Sequence, residues 1–132
     1  MDASELLAAI PFAIGAGVEL VSASPEEVVG RLRWAPERCT NLGVLHGAAL
    51  MTLADSLGAV CAALNLPDGS GTSTIESKTN FFRAVRDGQV ESVSRPLHVG
   101  RSTIVVQTDI RDGEGRRVAQ VTQTQAVLAP RS

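Results

Sequence analysis

The chain has no tyrosine, one tryptophan and three phenylalanines, so aromatics make up only 3% of its 132 residues. That leaves few platforms on which nucleic-acid bases could stack. With 12 basic residues against 14 acidic ones and a formal charge of -2, there is no cationic footprint either, and no nucleic-acid partner is expected. Cysteine is scarce: Cys39 and Cys61 are the only two, which excludes a disulfide framework. The start of the chain lacks the basic-then-apolar pattern of a secretory leader, so the expected setting is cytoplasmic. His46 and His98 are the only histidines and share no ligand spacing with the cysteines, so no metal is expected. No repeat, Gly/Ser linker or run of like charge divides the chain. Hydrophobic residues at 44% and charged residues at 20% are ordinary globular usage, and a single domain over 1–132 is expected.

Asp2-Ala3-Ser4-Glu5 reads as a capping box for a short N-terminal helix that Pro11 ends. Val18 to Ser22 and Glu27 to Trp34 are rich in β-branched residues around a Ser24-Pro25 turn, which predicts a hairpin. Residues 47–64 are apolar nearly all round, broken only by Thr52, Asp55 and Ser56, and predict a long buried helix. Its small residues, central acid and strand-like flanks mark a core helix rather than a membrane span. Thr72 to Phe82, Gln89 to Leu97, Thr103 to Ile110 and Arg116 to Leu128 then read as four strands. The turn residues between them predict that consecutive strands pair antiparallel. The expected class is α+β: a curved antiparallel sheet around one central helix. Six short strands cannot enclose a helix on all sides, so a partner subunit is the natural cover for its open flank.

Asp55 is the only charge in that helix, and burying a lone carboxylate is costly unless hydrogen bonds relieve it. It is either a functional acid or a structural one paired at a distance. At the start of the helix, Gly47 and Ala48 have backbone N–H groups without intrahelical acceptors, and the helix dipole adds positive character. Such groups suit an oxyanion, although glycine there also serves an ordinary helix start. Eight residues separate Gly47 from Asp55, about 12 Å along the axis, too far for both to reach one carbonyl carbon. Two helices packed antiparallel about a two-fold axis would instead set each helix start beside the other's acid. His46 would stand on the opposite face from Asp55 if the helix began at His46, which disfavours a same-chain triad. There is no G-x-S-x-G elbow for a nucleophilic serine.

Gly43-Val44-Leu45-His46-Gly47-Ala48, followed four residues later by Leu53-Ala54-Asp55, resembles the hotdog-fold thioesterase signature G-x-x-H-G-G-x-x-x-x-L-x-D/E. Residues 74–88 resemble the strand and hairpin after that family's helix, and the similarity runs from about residue 14 to 128. The subgroup it resembles most is the phenylacetate-degradation and 4-hydroxybenzoyl-CoA thioesterases, in which the acid lies nine positions after the histidine. The resemblance implies a hotdog fold and hydrolysis of an acyl-CoA, whether aryl, phenylacetyl-like or medium-chain, to free CoA and an acid. It implies no cofactor beyond the CoA of the substrate, and a homodimer, with dimers pairing further. Asp55 would act as general base or as nucleophile, and the Gly47 N–H of the other subunit would polarise the thioester carbonyl. His46 would fix the helix start or position the acyl group. Thr40 stands where the family has Asn or Gln six before the histidine, with Asn41 one residue later, so either side chain is a candidate for positioning water or carbonyl. Ala48 replaces the second glycine. Where some relatives have a hydroxyl one turn after the acid this chain has Ala59, and Ser73 or, preferably, Thr74 takes the alternative hydroxyl position. Arg83, Arg86 and Arg101 are the candidate contacts for CoA phosphates. A non-catalytic acyl-CoA-binding module is the competing reading, because one fold serves both uses.

Overall fold

The computed structural model describes residues 1–130. Its elements are α1 (Ala3–Ala8), α2 (Pro11–Ala16), β1 (Glu19–Ser24), β2 (Glu27–Arg33), α3 (Gly47–Ala63), β3 (Gly71–Phe81), β4 (Gln89–Val99), β5 (Thr103–Asp112) and β6 (Arg117–Leu128). The Asp2 carboxylate accepts from the Glu5 N–H at 2.8 Å and caps α1. Pro11 does more than end that helix. It opens a second one, where its fixed φ and missing N–H fit the first helical position.

All six strands form one antiparallel sheet in the order β1-β2-β4-β5-β6-β3. The expectation that consecutive strands pair therefore fails at β3 and β4, which lie three places apart. Residues 82–88 cross between them outside any strand, held by Phe82 N–H to the Val118 carbonyl, Leu45 N–H to the Val85 carbonyl, and Trp34 N–H to the Gly88 carbonyl. The Asp87-Gly88 turn thus docks on the end of β2 instead of closing a hairpin. β3 is left at the sheet edge, hydrogen-bonded only to β6.

α3 lies across the inner face of this sheet. Leu53, Leu57 and Val60 pack among Val28, Leu32, Val90, Ile104, Val106 and Ile110, all essentially buried. Each such side chain contributes about 1.5–3 kcal/mol of transfer free energy. Gly30 of β2 leaves room for the helix, since a Cβ there would overlap Leu57 Cδ1 and lie 2.7 Å from the Glu19 carbonyl oxygen. The helix is not buried all round, however. Ala48, Met51 and Asp55 form an exposed stripe, with Thr52 partly covered between them. Helical periodicity places these residues on one flank, away from the sheet. No helix among the described residues is long and apolar enough to cross a membrane.

Candidate active site

Asp55 stands mid-way along the open flank of α3, exposed rather than buried in the protomer. The Thr74 hydroxyl donates to its Oδ1 at 2.8 Å, and the Gln123 amide approaches the same oxygen at 3.4 Å. A local irregularity brings Thr74 there. β3 and β6 are in register from Gly71↔Leu128 to Thr74↔Gln125, and again from Glu76↔Thr124 onward, which leaves Ile75 as an extra residue in a β-bulge. The bulge shifts the side-chain alternation, so Thr74 and Ser77, three residues apart, both face the helix. Ser77 joins Asp55, Ser56, Met51, Thr52, Ile10 and Phe12 around one depression. Ser73, the other hydroxyl considered at this position, projects from the opposite face of the strand.

The start of α3 is built differently. His46 has extended backbone (φ -66°, ψ 136°), and its carbonyl accepts from the Ala49 and Leu50 N–H groups. Among the described residues, neither the Gly47 nor the Ala48 N–H has an acceptor. The Phe81 ring lies over Gly47, where a Cβ would sit 3.1 Å from it, so glycine lets the last residue of β3 stack on the first residue of the helix. Thr40, Val44, Phe82 and Arg83 complete that surface.

His46 precedes the helix instead of belonging to it, so the helical wheel does not put its ring behind Asp55. It lines a second depression with Phe12, Cys39, Ala48, Ala49 and Thr52. Phe12 and Thr52 also border the Asp55 depression, so one apolar groove runs between α2 and α3. Arg38 anchors its α2 wall, donating through Nε to the Ala16 carbonyl at 2.8 Å.

The arginines separate. Arg83 stands beside Gly47 and Thr40. Arg86 lies with Asp87, Asp112 and Arg116 around the turns at another end of the sheet, and Arg101 projects from the β4–β5 turn. Asn41 is exposed in the loop ahead of the helix, its Oδ1 accepting from the Thr40 hydroxyl at 3.4 Å. Cys61 is on the buried face of α3, and burial pushes its thiol up to about 11, which favours the protonated form at neutral pH. The sequence reading missed Ser77, because alternation counted without the bulge turns it away from the helix, and missed Gln123 and Gln125, which share the inner face of β6 by plain alternation but give no signal of what their amides meet.

Comparison with known proteins bears on the fold and the family. The 1,4-dihydroxy-2-naphthoyl-CoA hydrolase of Escherichia coli is 36% identical over 86 residues, 65% of this chain and 63% of that protein, so the match spans less than two thirds of the relative. A variant of a thioesterase from Pseudomonas aeruginosa superposes with a TM-score of 0.90 at 25% identity, covering 97% of this chain and 94% of that one. A hypothetical thioesterase from Streptococcus pneumoniae, solved with coenzyme A, superposes with a TM-score of 0.83 at 27% identity, covering 96% and 99%. The family model for the thioesterase superfamily matches residues 42–119, more than half of the chain and the whole stretch from the loop before α3 into β6. Signature spacing, hotdog architecture and these likenesses converge, and the chain belongs to the thioesterase superfamily.

Proposed function

We propose that the protein hydrolyses an acyl-CoA thioester to CoA and a free carboxylic acid, at a site shared by two copies of the chain. The observation that carries this reading is the placement of Asp55 on an open helix flank, oriented by Thr74, with unpartnered N–H groups about 12 Å away along the same helix. One chain cannot bring both to one carbonyl. Two chains related by a two-fold axis can, with the free edge of β3 and the exposed stripe of α3 as the contact. The Gly47 N–H of one copy then polarises the thioester carbonyl held against Asp55 of the other.

Two routes give the same products. Asp55 takes a proton from water as the water oxygen attacks the carbonyl carbon, the C–S bond breaks, and the CoA thiolate leaves and is protonated. Alternatively the carboxylate attacks, CoA leaves, and water cleaves the resulting mixed anhydride, returning Asp55 and releasing the acid. His46 and the groove beside Phe12, Ala49, Met51 and Thr52 suit an apolar aryl, phenylacetyl-like or medium-chain acyl group. Arg83 beside Gly47 suits a CoA phosphate, and Thr40 or Asn41 positions water or the carbonyl. The names of the E. coli hydrolase and the coenzyme A in the S. pneumoniae structure support a CoA ester as substrate.

Thiol release across benzoyl-, phenylacetyl-, hexanoyl- and octanoyl-CoA tests the proposal. The parent is expected to turn over at least one ester, and Asp55→Ala to lose at least about 100-fold in kcat while retaining the parent's unfolding midpoint. Parent-like turnover by Asp55→Ala rejects the assignment of the acid. Tight binding of every ester without thiol release rejects the enzyme and favours a binding module.

A further inference from the structure

Gln125 is fully buried on the inner face of β6. The cost of burying an amide is met by specific partners. The Thr72 hydroxyl gives its one proton to the Ala126 carbonyl at 2.8 Å and lies 3.1 Å from Gln125 Oε1, while Gln125 Nε2 donates to Thr74 Oγ1 at 2.7 Å. Thr74 in turn donates to Asp55 Oδ1 at 2.8 Å. A hydroxyl has one proton, and an amide nitrogen offers it no acceptor. With the Gln125 nitrogen against Thr74, the threonine must accept on that side, and its only proton goes to Asp55. Turning the amide over would let its nitrogen donate to Thr72, but would set two acceptors, the Gln125 oxygen and the Asp55 carboxylate, at 2.7 and 2.8 Å on a single Thr74 proton, a closer conflict than the 3.1 Å Thr72 contact it relieves.

We infer that Gln125 is a positioning residue: acting through Thr74, it commits the threonine proton to Asp55 and holds the carboxylate in one orientation. This rests on the reading of Asp55 given above. Gln123 approaches the same carboxylate at 3.4 Å, against 2.8 Å for Thr74, and so directs it less strongly.

A double-mutant cycle on the intact protein tests the inference. Gln125→Met keeps the length of the side chain and removes the donor, and Thr72 retains its Ala126 carbonyl acceptor; Gln125→Leu serves as a second apolar variant should the first fold poorly. With whichever of the four CoA esters the parent cleaves fastest, Thr74→Val and Gln125→Met are each expected to lower kcat by about tenfold with KM within about twofold. In the Thr74→Val background Gln125→Met should cost no further activity, whereas independent roles would multiply to about 100-fold. A readout free of turnover accompanies it. The 13C resonance of the Asp55 side-chain carboxyl should move on Gln125→Met in the parent and stay in place in the Thr74→Val background. A multiplying cycle, or an Asp55 resonance indifferent to Gln125→Met in the parent, overturns the positioning role. Failure of the parent to cleave any ester counts against the proposed function and leaves the resonance test of Gln125 standing.

Discussion

At the tip of the loop before the long helix, Leu42 adopts φ 65° and ψ 21°, the only non-glycine residue with positive φ among the described residues, and is 87% exposed. A β-carbon in that conformation costs about 1–2 kcal/mol. Glycine would relieve it but lose about 0.5–1 kcal/mol through the greater freedom of the unfolded chain. The first effect is the larger, and Leu42 surrenders almost no buried area in the protomer. Leu42→Gly should therefore raise stability by about 0.5–1 kcal/mol in urea unfolding; a loss of stability would mean that the leucine side chain is covered in the assembled protein. The acid and the helix-start glycine were legible in the sequence because their spacing is set by a continuous helix. Among the residues that orient the acid, Thr74 was offered only by the family resemblance, and Gln123 and Gln125 were not legible, because what their amides meet is decided by how β3 and β6 pair.

Two glycines show how differently the helices treat the same residue. Gly15 in α2 has nothing within 4 Å of a would-be Cβ, whereas one at Gly58 in α3 would overlap the buried Gln123 amide. Gly15→Ala should stabilise the protein by about 0.5–1 kcal/mol through helix propensity alone. Gly58→Ala should destabilise it by about 1–3 kcal/mol, since the helix must lift or Gln123 must turn away from Asp55. Equal effects of the two in chemical denaturation would contradict the packing described. The long helix itself could be read from composition, because alanine and leucine both favour it and no proline interrupts it. The strands could be read individually from their β-branched runs. Their order could not: Asp87-Gly88 has the residues of a hairpin turn, and only the contacts of Trp34, Val85 and Val118 reveal that the chain there is crossing the fold. The phase of β3 was hidden for a similar reason, since one unpaired residue at Ile75 reverses which side chains face inward.

For the assembled molecule, complementation distinguishes a shared site from one built within a chain. Gly47→Pro is a precise way to remove a single N–H, because proline is accepted at the first helical position and the preceding His46 backbone is already extended as proline requires. The Phe81 ring must shift slightly to admit it. Gly47→Pro and Asp55→Ala homodimers should each be nearly inactive. Refolded together in equal amounts, they should recover about a quarter of parental activity, since half the pairs are mixed and each mixed pair holds one intact site. No recovery on mixing, with pairs confirmed by light scattering, would place both groups in one chain's own site.

The distance along α3 between its bare amide end and its carboxylate has a consequence for how much catalyst a given quantity of protein represents. Where a lone copy carries only half of each reaction centre, output per molecule is not fixed but depends on how often copies meet. Diluting the protein below the concentration at which they associate should silence it without unfolding it, and the rate should then rise with the square of the amount added.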